Sequence, residues 1–125
     1  MGYSVQSLGT WKNWTPTWTG FTGGSEPVVS VARYNRIGNM CTVELHMANG
    51  TSNANTFTVT LPFNAANTVN NIAVYAINAS AGVFSRMNTT AGSNIMSFSN
   101  GTGTVSSWTG SGAKGASFRF SYECQ

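Results

Sequence analysis

The sequence predicts an all-β fold, an antiparallel β-sandwich of jelly-roll type with about eight strands, on three observations. Apolar residues recur with period two in almost every segment. Gly, Asn and Pro turn signals separate those segments at short intervals. No stretch carries the sustained three-and-four spacing of an amphipathic helix. At 125 residues the chain has the usual size of one domain, able to bury roughly two thirds of its unfolded surface. Residues 1–125 are therefore expected to form one unit, with residues 1–12 as an N-terminal connecting segment.

The first expected strand is a short one near Thr15 to Thr19. Val28 to Ile37 reads as a strand that runs into a Gly38-Asn39 turn, so it should pair with Met40 to Met47 in a tight hairpin. The Met40 strand has the clearest alternation: Cys41, Val43, Leu45 and Met47 face one side, and Thr42, Glu44 and His46 the other. Asn49-Gly50 is a strong turn signal within a polar loop. Thr56 to Leu61 then alternates again, with Phe57, Val59 and Leu61 inward, until Pro62 ends the pairing. A second hairpin, between the Met40 and Thr56 strands, follows from that reading. Downstream, Asn71 to Asn78, Gly82 to Met87, Asn94 to Phe98 and Ala116 to Cys124 supply four more strands. The last has Phe118, Phe120, Tyr122 and Cys124 on one face, and the run from Asn100 to Gly115 is the longest loop.

One strand, Ile72-Ala73-Val74-Tyr75-Ala76-Ile77, is apolar on both faces, whereas an outer strand of a two-layer sandwich should keep one face polar. Its second face needs a cover, either the Asn100 to Gly115 loop or a neighbouring subunit. A subunit is favoured, because four Trp, seven Phe and four Tyr sit in a chain with few charges to shield them.

Charged residues make up only 7% of the chain, against about 25% in an ordinary soluble domain. Its wettable surface comes instead from 14 Asn, 15 Ser and 16 Thr. The net charge of +3 comes from six scattered cations, Lys12, Arg33, Arg36, Arg86, Lys114 and Arg119, without the clustering that phosphate neutralisation requires. No nucleic-acid partner is expected. No apolar run approaches the roughly 20 residues of a spanning helix, so membrane insertion is not expected either. Cys41 and Cys124 each fall on the apolar side of a strand, as two small core residues or as one bridge; free thiols are favoured.

Acid–base catalysis needs convergent titratable groups, and the chain has no Asp, three Glu and one His. Glu26 lies in a turn before Pro27, Glu44 and Glu123 face outward on strands, and Glu44 and His46 read as a surface pair. One His and two distant Cys do not make a zinc site, and the glycine runs lack the lysine of a phosphate cradle. The expectation is a protein that is no enzyme and uses no cofactor or metal. What is abundant suits neutral sugar recognition: rings for stacking, with amides and hydroxyls for hydrogen bonds. Trp108, in the long polar loop, is either an exposed contact ring or an anchor of its loop. Trp11, Trp14 and Trp18, around Pro16, read as packing or subunit contacts. The residues expected to meet a ligand are Trp108, Tyr75, Arg86 and Arg33.

Three segments carry a resemblance. Trp14-Thr15-Pro16-Thr17-Trp18-Thr19-Gly20-Phe21-Thr22, then Ala32-Arg33-Tyr34-Asn35-Arg36-Ile37-Gly38-Asn39-Met40, then Phe57-Thr58-Val59-Thr60-Leu61-Pro62-Phe63, resemble a β-sandwich domain at the ends of tailed-bacteriophage tail fibres and related virion appendages. They span roughly Lys12 to Phe63, and the Tyr34 to Asn39 motif is the most specific of them. The resemblance implies a homotrimer located in the virion, made in the host cytoplasm, with host surface polysaccharide and other tail or fibre proteins as partners. The function it implies is a receptor-binding fibre tip. The alternative is a capsid-decorating or fibre-connecting module that recognises nothing.

Overall fold

A computed structural model describes residues 10–21, 24–48, 50–52, 57–78, 81–100 and 112–125. Its elements, in chain order, are β1 (Lys12–Asn13), β2 (Trp18–Thr19), β3 (Val29–Ile37), β4 (Met40–Met47), β5 (Gly50–Ser52), β6 (Phe57–Thr60), β7 (Val69–Asn78), β8 (Ala81–Thr89), β9 (Ile95–Asn100), β10 (Gly112–Ala116) and β11 (Phe118–Glu123). No helix occurs among the described residues. The strands form a four-stranded sheet, β1-β3-β4-β11, and a seven-stranded sheet, β2-β6-β9-β8-β7-β10-β5, in which every pairing is antiparallel.

Both sheets send apolar side chains into one core. Cys41, Val43, Leu45, Phe118 and Tyr122 enter from the smaller sheet. Phe57, Val59, Val74, Ala76, Met87, Met96 and Phe98 enter from the larger. The arrangement is therefore sandwich-like, and its inward residues are those at alternate positions, since successive side chains in a strand point to opposite faces. A chain of ring contacts runs through the middle. Phe57 and Phe98 are stacked with centroids 4.7 Å apart, and Trp18 and Phe21 close over Phe57 at 5.9 and 5.4 Å. Full burial of one such side chain contributes roughly 1.5–3 kcal/mol, so this cluster anchors β2, β6 and β9 to one another.

The β3–β4 hairpin forms as the sequence predicts, with Ile37 opposite Met40 and Gly38 at φ 59° in the turn between them. A left-handed residue suits such a tight hairpin, and glycine enters that region without steric cost. The second expected hairpin does not form: β4 pairs with β3 and β11, whereas β6 pairs with β2 and β9 in the other sheet. Alternation fixes the face of a strand but not its neighbour, and the polar stretch between β4 and β6 is long enough to change layers. Gly50 is part of that crossing. It lies buried in β5, where a side chain would run into the backbone of Ser25 and Pro27, with Pro27 N only 2.6 Å from a Cβ. Its lack of a side chain serves this close approach and not a left-handed turn.

Two further boundaries differ from expectation. Of the expected Thr15 to Thr19 strand only Trp18–Thr19 pairs, as β2; β1 precedes it in the other sheet, and the chain passes between layers around Pro16, which has no N–H to donate. Of the expected connecting segment, residues 1–9 lie outside the described residues, while Lys12 is already paired with Tyr34. The last strand breaks at Ser117, so that β10 completes the larger sheet and β11 the smaller one. On β7 the doubly apolar pattern resolves by face: Val74 and Ala76 enter the core, and Ala73 and Tyr75 are exposed.

Cys41 and Cys124 are both buried and both free thiols. Cys124 Sγ donates to Asn39 O at 3.3 Å. The Tyr122 hydroxyl donates to Phe63 O at 3.0 Å and accepts from Phe63 N at 3.3 Å. Burial pushes the Cys41 thiol up, and burial with its hydrogen bond to Cys41 pushes the Tyr122 hydroxyl far above the ordinary tyrosine range. Both groups stay neutral, as an apolar setting requires.

Candidate binding groove on the four-stranded sheet

Because Cys41, Val43 and Leu45 point into the core, Thr42, Glu44 and His46 point out from the opposite face of β4. Register then decides what stands beside them. Asn13 is opposite Arg33, Arg33 is opposite Glu44, and Glu44 is opposite Arg119, so one row of outward residues crosses all four strands. Directly opposed residues share a face and their side chains meet.

Glu44 is the centre of this row. Arg33 Nε and Nη2 each lie 2.7 Å from Oε1. Arg119 Nε and Nη2 lie 3.0 and 2.7 Å from Oε2. His46 Nε2 is 3.6 Å from the same Oε2. The Trp11 ring covers the two guanidiniums, with its centroid 4.4 Å from Arg33 Cζ and 5.2 Å from Arg119 Cζ, close enough for cation–π attraction to both. The Glu44 side chain is only 12% exposed, and Arg33 and Arg119 remain 38% and 54% exposed. Burial pushes the Glu44 carboxyl up, but the hydrogen bonds and charges of Arg119 and Arg33 outweigh it and hold the group below its ordinary value. A carboxylate so held stays ionised and makes a poor proton donor.

Beside this row lies an open groove of about 570 Å³, lined among others by Asn13, Trp14, Ser30, Arg33, Glu44 and His46. Trp14 is fixed there by an Nε1 hydrogen bond to Thr60 O at 3.2 Å. The other two glutamates have separate partners. Glu26 Oε2 accepts from Gly24 N at 2.8 Å, and Glu123 Oε2 accepts from Asn67 Nδ2 at 2.9 Å. Among the described residues no group of three or more His, Cys, Asp or Glu is placed to hold a metal ion. The arrangement can orient and hold a polar ligand by an aromatic wall, an amide, a hydroxyl and charge-assisted donors.

Of the four residues expected to meet a ligand, Arg33 stands in this groove. Tyr75 and Arg86 are together on the other sheet: Arg86 is opposite Ala73, one step along from Tyr75, and both are exposed. Trp108 lies outside the described residues. No family model matches the chain, and neither does any curated protein or solved structure.

Sequence reasoning misses Arg119, and it reads Glu44 with His46 as a surface pair and Trp11 as a packing or subunit contact. The outward positions of Glu44 and Arg119 are visible from period two alone, because each lies between inward apolar neighbours. Their adjacency depends on the β4–β11 register, which no local signal carries. Arg36, the sequence neighbour of Arg33, goes elsewhere: it stacks on Phe63 at 4.6 Å and donates from Nε to Gly38 O.

Proposed function

We propose that this domain is a non-catalytic carbohydrate-binding module of the kind borne at bacteriophage fibre tips, a jelly-roll-like sandwich working as a homotrimer in the virion and meeting host surface glycans. The observation that carries the reading is the groove beside Arg33. It is open, of saccharide size, and lined by a tryptophan, an asparagine, a serine and the guanidinium of Arg33, with Arg119 on the far side of Glu44. Pockets with a few convergent polar groups and an aromatic wall suit sugars, whose faces are apolar and whose edges are hydroxyls. The single ionised glutamate in it is gripped by two arginines, which suits recognition and not proton transfer. In this reading Arg33 is the ligand-contacting member of the expected set, and Tyr75 and Arg86 belong to a second, outward face. The test is retention of the purified domain on immobilised bacterial polysaccharides or whole cells. Retention that Arg33→Ala weakens supports the reading; no retention on any of them ends it.

A second reading, a fibre-connecting or capsid-decorating module, draws on the apolar side chains left in the open on the isolated chain. Tyr75 is 57% exposed and Val69 42%, both on β7. Exposed rings and aliphatic side chains of this kind suit a subunit contact. Light scattering of the native chain and of Tyr75→Ser tests it: three subunits that fall to one in the variant support assembly through this face, and a single subunit in both counts against the trimer and the connecting role.

A further inference from the structure

We infer that the ligand of the groove beside Arg33 is an acidic saccharide, whose carboxylate is taken up by Arg33 and Arg119 next to Glu44. The inference rests on the carbohydrate reading above and narrows it to one class of sugar. The chain has only six cationic and three anionic side chains, yet three of the nine stand in a single cross-strand row. Two arginines there share one carboxylate, which leaves the row with an excess positive charge beside an open groove. A neutral sugar would leave that excess as it is, whereas a carboxylate would neutralise it.

The geometry also prepares the arginines for such a ligand. Glu44 engages the Nε and Nη2 atoms of both guanidiniums, so their Nη1 groups lie outside the ion pair. Guanidinium offers a planar fork that matches a carboxylate, and a fork already fixed by Glu44 and by the Trp11 face loses little freedom on binding. Arg33 and Arg119 are 38% and 54% exposed beside a Glu44 that is only 12% exposed, which leaves both open to direct contact. Asn13 and Ser30, at the groove wall, are placed to serve ring hydroxyls. Glu44 is in this account a positioning residue. It orients the two donors and prevents their mutual repulsion.

The experiment compares binding of the intact chain, at one fixed pH and moderate salt, to a panel of polysaccharides. Polygalacturonate, alginate, hyaluronan and polysialic acid are tested beside the carboxyl-reduced form of each, and dextran, mannan and galactan serve as neutral probes. The expected result is binding to at least one acidic member, weakened about tenfold or more by carboxyl reduction. Arg119→Gln and Arg33→Gln should each weaken it to a similar degree. Lys12→Gln, which removes the same charge one residue outside the row, should change it by no more than about twofold. Equal binding of the acidic and reduced forms, binding of neutral members alone, or equal losses in Lys12→Gln and Arg119→Gln would overturn the acidic assignment while the carbohydrate reading stands. Binding to no member ends both. Circular dichroism of each variant shows whether the strand fold is retained.

Discussion

Arg119 Nη2 lies 2.7 Å from Oε2 of Glu44, a residue 75 positions earlier in the chain, and this contact closes the outward row of the smaller sheet. It makes stability depend on pH in a defined direction. The folded chain holds the Glu44 carboxyl below its ordinary value, so the unfolded chain binds the proton more readily between the two titrations. The contribution is present above the ordinary glutamate range near pH 4.3 and is lost as pH falls through the lower folded value. Urea midpoints from pH 7 down to pH 3 should fall more steeply in the native chain than in Glu44→Gln. Parallel profiles for the two would contradict the assignment.

Two glycines should respond differently to the same substitution. At Gly38 a new Cβ meets nothing within 4 Å but must adopt φ 59°, so Gly38→Ala should cost about 1 kcal/mol. At Gly50 the Cβ would stand 2.6 Å from Pro27 N and against Ser25 O, both backbone, and neither side can yield without moving the β5 crossing. Gly50→Ala should cost about 1–3 kcal/mol or prevent folding. Denaturant midpoints for the two variants decide it, and a milder effect at Gly50 than at Gly38 would refute the close-approach account.

The thiols of Cys41 and Cys124 should be silent in the folded chain. Both are buried, and Cys41 is held in its neutral form by its apolar setting. An aromatic disulfide reagent at pH 8 should label neither quickly without denaturant and both in its presence. Prompt labelling of the folded chain would show that the β4–β11 end is open.

Phe98 is 1% exposed and stacks on Phe57 at the centre of the ring cluster. Phe98→Ala should cost about 3–5 kcal/mol, a large share of the roughly 5–15 kcal/mol that holds a domain together. Thermal melting measures it. A change within about 0.5 kcal/mol would mean that the Phe57–Phe98 stack does not anchor β6 and β9 to one another.

What the sequence makes legible is whatever depends on neighbours within a strand or turn. The faces of β4 and β11, the Gly38-Asn39 hairpin and the inward set Cys41, Val43, Leu45, Phe57 and Val59 all follow from period two and turn chemistry. Which strands pair across long separations does not. The pattern of Phe57 and Val59 is the same whether β6 sits beside β4 or beside β9, and only packing of Phe57 against Phe98 and Trp18 selects the latter. Strand β10 is hidden because Gly112-Ala113-Lys114-Gly115-Ala116 reads as a loop by composition. The candidate site was legible only in fragments. Arg33 stood out within the Ala32 to Met40 motif, but its meeting with Glu44, Arg119 and Trp11 is a product of register across three strands and of an N-terminal segment folded over them.

The central claim is that the outward row of the smaller sheet, and not another face, receives a saccharide. Nuclear magnetic resonance with ¹⁵N-labelled protein tests it most directly, by following the side-chain N–H signals of Arg33, Arg119 and Trp11 during titration with a bound polysaccharide fragment. The account predicts progressive shifts of those three signals with little change at Tyr75. Shifts centred on Tyr75 and Arg86, with the Arg33 and Arg119 signals unmoved at saturation, would contradict it.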